Sequence, residues 1–138
     1  HQEAVRVAFD PGKISYTDLL RSYWRNVDPL DGNGQFCDRG DSYRPVIYPM
    51  DDQQEKEVEL SFEQASFELD QPRNNLKVQV RSMKKFWLAE NYHQDFAERN
   101  QLKYKFYRYG CGRDSRLDEV WGGNARSANK WNDAQGQI

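Results

Sequence analysis

Apolar and polar positions alternate at the start of the chain. Val5, Val7 and Phe9 fall on one side of residues 3–9, with Arg6 on the other. A period of two predicts a strand with one buried face. Asp10-Pro11-Gly12 predicts a turn. Ser15, with Asp18 three residues on, is a variant of the capping box and predicts a helix start. Leu19, Leu20, Tyr23 and Trp24 then share one helical face, and Asp28-Pro29 stops the helix. Residues 44–48 predict a short strand bounded by Pro49. Residues 51–69 predict a long charged helix with Val58, Leu60, Phe62, Ala65 and Leu69 as its apolar side. Residues 76–80 alternate again, and further helices are expected over 90–99 and 114–121. The stretch 104–109 is aromatic and basic. Beyond Trp121 the sequence turns to Gly, Asn, Ser and Gln, which predicts a polar, flexible tail over 123–138. Strands and helices alternate, so the expected class is α/β or α+β with a mixed sheet.

Between the first helix and the second strand lies a 16-residue polar loop, 28–43, holding three glycines. Loops that long without regular structure are functional or disordered. Its aromatic and ionisable residues argue for function.

Composition removes several function classes. The 138 residues carry 20 basic and 22 acidic side chains, a net charge of −2. That balance gives no electrostatic reason to expect nucleic acid or an anionic membrane. No apolar run reaches 18 residues, so no membrane span is expected. No signal or transit peptide is expected from these residues, and the chain opens on His1 rather than Met, so residues upstream are expected to have been removed or left unrecorded. A soluble chain is expected, in the cytoplasm or in an organelle such as the chloroplast. Mean hydropathy is −1.07, which fits either a polar-surfaced domain or part of a larger assembly. Two cysteines are too few for a disulfide framework. With two distant histidines and no CxxC they make a weak zinc set, so neither metal nor cofactor is expected.

Four places can carry chemistry. Glu3 heads the first predicted strand. A carboxylic acid moved into apolar surroundings holds its proton to higher pH and serves as an acid near neutrality; an exposed strand-end Glu is the plain alternative. In the loop, Phe36-Cys37-Asp38-Arg39-Gly40-Asp41-Ser42-Tyr43 gathers a carboxyl group and a phenol, and a carboxylic acid and a phenol can both hydrogen-bond to one oxygen; a surface turn reads equally. His93 lies in Glu90-Asn91-Tyr92-His93, where a structural histidine is the ordinary case. Cys111 stands between Gly110 and Gly112, with Arg113 and a helix start following, features that favour a thiolate; an inert thiol is the alternative.

Read in order, these segments resemble the methionine sulfoxide reductase A family. His1-Gln2-Glu3-Ala4-Val5 is similar to its His-Ala-Glu-Ala-Val run. Gly34-Gln35-Phe36-Cys37-Asp38-Arg39-Gly40 resembles its substrate loop, in the branch with Cys-Asp where many members have Asn-Asp. Glu90-Asn91-Tyr92-His93-Gln94 is similar to its Ala-Glu-x-Tyr-His-Gln stretch. Cys111-Gly112-Arg113-Asp114 with Leu117 and Trp121-Gly122 resembles that branch's C-terminus. The resemblance covers residues 1–122. It implies a two-layer α/β sandwich of the ferredoxin-like kind with a mixed central sheet, here expected to lack an N-terminal strand and helix. The family's nucleophile lies in a Gly-Cys-Phe-Trp motif that this sequence does not contain.

The resemblance also implies the activity: reduction of peptide-methionine (S)-S-oxide. A thiolate attacks the sulfoxide sulfur, Glu3 supplies the acid, and Asp38 and Tyr43 hold the oxygen. His93 is expected near the substrate. Cys111 captures the resulting sulfenic acid as a disulfide, with Cys37 as the alternative recycling thiol, and thioredoxin reduces it. The substrate is methionine sulfoxide in proteins or free. With its nucleophile absent, the chain as given is expected to be inactive alone. The competing expectation is a catalytically inactive, reductase-like accessory subunit of a larger complex.

Overall fold

The computed structural model describes residues 1–91 and 93–131. Helix α1, Tyr16–Trp24, starts where its cap sets it. Ser15 is extended, and its hydroxyl accepts the Asp18 amide at 3.0 Å, satisfying one of the donors a first turn leaves over. Helix α2, Asp52–Leu69, is capped the same way by Asp51, which accepts the Gln54 amide at 2.7 Å. It ends at Asp70, whose backbone turns left-handed at φ 51°.

The two helices pack through a narrow stripe. Leu20 and Trp24 of α1 are buried with Val58, Phe62 and Ala65 of α2. Trp24 meets Phe62 edge-on at 4.9 Å, a favoured aromatic geometry. Its indole N–H donates to Ser61 Oγ at 2.9 Å, and the Ser61 hydroxyl donates to the Val58 carbonyl at 2.6 Å. Leu60, expected on this face, points outward at 49% exposure. Two residues past Val58 is more than half a turn around a helix.

The sheets are small. Strands β1, Gly34–Gln35, and β2, Asp38–Arg39, pair antiparallel; β3, Val46–Ile47, and β4, Gln79–Val80, pair parallel. Ile47, Leu76 and Val78 extend the core beside this second pair. Helices are thus mixed with sheet as expected, while among the described residues the four strands form two separate two-stranded sheets.

Two local expectations are corrected. Residues 3–9 form no strand, and Val5 is 86% exposed. Alternation supplies a face, but a strand also needs a ladder partner, and in this segment the backbone bond is from the Glu3 amide to Ser42 O at 2.9 Å. The helix expected over 90–99 is only α3, Phe96–Arg99, because Asp95 stands left-handed at φ 54° before it.

Helix α4, Gln101–Gly110, then fills the aromatic and basic stretch. Gly112, left-handed at φ 66°, turns the chain into α5, Arg113–Trp121. Helix α5 buries Leu117 and Trp121, and the Trp121 indole donates to the Val27 carbonyl at 2.9 Å. The stretch expected to be a flexible tail runs on along the core as far as it is described. Trp131 is 3% exposed, with its ring 6.3 Å from that of Trp121. Arg25 explains this path. Its fully buried guanidinium pairs with both Glu68 carboxylate oxygens and donates to Ser127 Oγ and to the carbonyls of Asn129 and Lys130. A buried cation needs such partners, and backbone carbonyls supply them without apolar side chains. Residues 132–138 of the expected tail lie outside the described residues.

Candidate functional site

The site grows from the β1–β2 hairpin. Gly34 permits it: φ is 151°, and a Cβ there would sit 2.2 Å from the Asp38 carbonyl oxygen. The tip is Phe36-Cys37, with Phe36 left-handed at φ 54°. Gln35 fixes the hairpin reciprocally to Asp28, four residues past the end of α1. Its amide donates to Asp28 O at 2.7 Å, and its carbonyl accepts the Asp28 amide at 2.8 Å. Asp28, itself buried, accepts Arg116 Nε of α5 at 2.7 Å. Arg39 pairs with Asp31 and holds the Asp31 carboxyl below the usual carboxylate range. The hairpin therefore stands on the core through α1 and α5.

Cys37 and Cys111 are joined by a disulfide, with Cα atoms 5.3 Å apart. The next residue, Asp38, accepts the Tyr107 hydroxyl at 2.6 Å. Burial pushes the Tyr107 phenol up to about 12. The hydrogen bond and charge of Asp38 add to this and so does the charge of Glu3, while Arg113 opposes. The Arg113 guanidinium lies over the Phe36 ring at 4.2 Å, a cation–π contact that flanks the disulfide.

The residues singled out from the sequence fall as follows. Cys37, Asp38 and Cys111 meet at the hairpin tip. Glu3 joins through its backbone to Ser42, next to Tyr43, and through its charge to Tyr107. Glu3 is exposed rather than set in a half-buried strand, and Tyr43 is half-buried in the 3-10 turn Asp41–Tyr43. His93 sits in an exposed turn, its Nε2 3.9 Å from Glu90 Oε2. Two surface depressions lie elsewhere, at Ser66–Pro72 and at Pro49–Asp52 with Ser82 and Met83; neither is lined by Glu3, Asp38 or Tyr43. The geometry is thus an open cluster of the Asp38 carboxylate, the Tyr107 phenol and the disulfide, with the Glu3 charge felt at Tyr107. Tyr107 and Arg113 were not singled out as ligands of the loop. The signal for Tyr107 was its spacing: it precedes Cys111 by four residues, one helical turn. Among the described residues no three His, Cys, Asp or Glu side chains gather as a metal needs, and no helix is long and apolar enough to cross a membrane.

Comparison with known proteins gives a consistent picture. A family model described as peptide methionine sulfoxide reductase matches residues 1–125. The chain is 50% identical over 123 residues to a peptide methionine sulfoxide reductase MsrA 2 of Caulobacter vibrioides, covering 89% of this chain and 61% of that protein. It is 42% identical over 125 residues to an MsrA 2 of Rhizobium meliloti, covering 91% and 62%. It is 45% identical over 123 residues to an MsrA of Ligilactobacillus salivarius, covering 88% and 69%. The chain spans about three-fifths of the length of the first two relatives.

Proposed function

This chain belongs to the peptide methionine sulfoxide reductase family, and from that premise we propose that the intact protein reduces the (S)-sulfoxide of methionine, in proteins or free. An attacking thiolate bonds to the sulfoxide sulfur. Glu3 gives the oxygen one proton and solvent a second, so that it departs as water, with Tyr43 donating to the oxygen and Asp38 accepting from its new O–H. Hydration of the resulting sulfur–sulfur cation releases the thioether and leaves a sulfenic acid. The sulfoxide gains two electrons and the thiol loses them. Cys111 condenses with the sulfenic acid, losing water, to form a disulfide. Cys37 then displaces the attacking thiolate, leaving Cys37–Cys111, which a dithiol protein such as thioredoxin returns to two thiols. His93 is assigned to the substrate's approach. Architecture belongs to the same proposal: a two-layer, ferredoxin-like α/β sandwich over residues 1–122, with β3 and β4 in its mixed central sheet.

The observation that carries this reading is the Cys37–Cys111 bond beside Asp38. It is the covalent state such a cycle leaves behind. The same bond occupies both cysteines of residues 1–138, and the Gly-Cys-Phe-Trp run does not occur among them. The attacking thiol is therefore assigned to the intact protein outside these residues. That occupancy also favours a second reading, a reductase-like accessory subunit without turnover of its own.

Thioredoxin-dependent turnover of a methionine sulfoxide peptide separates the two. Residues 1–138 alone are expected to be inert, and the intact protein active. Cys111→Ser in the intact protein is expected to allow one equivalent of reduction and then stop. An inert intact protein supports the accessory subunit; unchanged cycling in Cys111→Ser removes Cys111 from the cycle.

A further inference from the structure

Two adjacent residues of the hairpin meet two residues of one helical face. Cys37 is bonded to Cys111, and Asp38 accepts Tyr107. On the helix side, the Cys111 amide donates to the Tyr107 carbonyl at 2.9 Å, so sulfur and phenol are one turn apart on a continuous backbone. The disulfide and the hydrogen bond are two halves of one contact. The rest of α4 presents apolar side chains to solvent: Phe106 is 70% exposed and Tyr109 is 88% exposed. Its ion pair, Arg108 with Asp114, joins it to the next helix and not to the hairpin.

We propose that the Cys37–Cys111 disulfide is a redox latch that masks Asp38 with Tyr107, so that the oxygen-holding carboxylate is released only when a dithiol reduces the bond. The inference rests on the reading of Asp38 as that carboxylate. A single phenol–carboxylate bond near the surface competes with water. A covalent link one turn away shortens the loop between them and raises the effective concentration of the phenol at the carboxylate. Cys37 is exposed and Cys111 half-buried, so a reductant reaches the bond. One thiolate of the dithiol attacks a latch sulfur and forms a mixed disulfide. The second thiol closes the reductant's own disulfide. Two electrons pass to Cys37 and Cys111, which take up two protons and become thiols. With the tether cut, Tyr107 leaves Asp38, whose carboxylate can then accept from the substrate oxygen as that oxygen takes up its proton.

The test uses residues 1–138, oxidised and then reduced with dithiothreitol. These residues hold no third cysteine, so binding is read without turnover. The first readout is the Tyr107 phenol, followed by ultraviolet titration against Tyr107→Phe. It is expected near 12 in the oxidised chain and nearer the ordinary tyrosine value of about 10 in the reduced chain. The second is titration with a methionine sulfoxide peptide. The reduced chain is expected to bind at least about tenfold more tightly, which corresponds to a difference of about 1.4 kcal/mol. Tyr107→Phe is expected to restore most of that affinity to the oxidised chain. Cys37→Ser/Cys111→Ser is expected to bind alike with and without dithiothreitol; if that double variant does not fold, Tyr107→Phe still decides. A phenol that titrates identically in both redox states overturns the latch whatever the peptide does. A phenol that moves while neither form binds peptide overturns the reading of Asp38 and leaves the latch standing.

Discussion

At the scale of single residues, the proposed chemistry rests on one proton donor and one glycine. Glu3 is the group assigned to protonate the departing oxygen, and general acids contribute about 10²–10⁴-fold to rate. Glu3→Gln keeps shape and loses the proton, so kcat of the intact protein is expected to fall by that order. Glu3 bonds Ser42 through its backbone, which the substitution spares, so the unfolding midpoint is expected to stay. A fall in both together would make Glu3 structural. Gly34 acts through geometry. Gly34→Ala sets a Cβ into the Asp38 carbonyl at a left-handed φ, a strain on the order of 1–3 kcal/mol. Because Asp38 carries that carbonyl and follows Cys37, the variant is expected to form the Cys37–Cys111 bond incompletely, read by thiol titration. Complete bonding would show that the hairpin reaches Cys111 without this turn. Cys37, Asp38 and Cys111 stood out in the sequence by type and neighbours, but the two cysteines were read there as alternatives, and the bond that joins them was not. Tyr107 was not singled out, because its role comes from a hairpin 69 residues away.

Secondary elements follow the same division between local and distant causes. Helices α1 and α2 were legible because a cap and a stripe are local: Ser15 with Asp18, Asp51 with Gln54, and the Val58, Phe62, Ala65 spacing. The strands were legible only as tendencies. Residues 76–80 alternate, yet the ladder holds just Gln79–Val80, because pairing depends on where Val46–Ile47 lies. Helix α4 was missed although its apolar residues gather on one side, because that side is mostly exposed and none of its residues is buried in the core. What holds it to α5 is charge. Arg108 donates to Asp114 at 2.6 and 2.9 Å, and it holds the Asp114 carboxyl below the ordinary carboxylate range, with Arg126 assisting. A depressed carboxyl stabilises the fold in its ionised form. The contribution is therefore present above about pH 4, the ordinary Asp value, and is lost as pH falls through and below it. The pair is exposed, so the effect is modest and screened by salt. Amide exchange in the first turn of α5, at the Arg116 N–H bonded to Gly112 O, is expected to lose protection on acidification. In Asp114→Asn that protection should already be low at neutral pH and flat below it. The same acid profile in both proteins would assign the loosening to other carboxylates.

Across the whole molecule, the polar C-terminal stretch is what closes the core, a role that its composition conceals. Trp131 is the large apolar side chain that enters the core from this stretch, tilted against Trp121 and under the Arg25 guanidinium at 5.1 Å. The approach is held by backbone carbonyls that accept from Arg25, and a carbonyl is the same on Ser, Asn or Lys. A stretch read by side-chain polarity therefore predicts mobility where the main chain supplies the bonds. Trp131→Ala removes the anchor and leaves a cavity, which costs about 3–5 kcal/mol for a buried Trp. It is expected to lower the urea midpoint of unfolding with little change in slope. Lys130→Ala, whose side chain is exposed and whose carbonyl to Arg25 survives, is expected to stay within about 0.5 kcal/mol. The loss should also reach the hairpin. Trp131 packs on Trp121 of α5, Arg116 of α5 holds Asp28, and Asp28 holds Gln35 beside the Phe36-Cys37 tip. A looser α5 frees Cys111 to move away from Cys37, so dithiothreitol is expected to reduce the disulfide faster in Trp131→Ala than in Lys130→Ala. Equal reduction rates alongside a lowered midpoint would mean that the strap stabilises the core without positioning the latch.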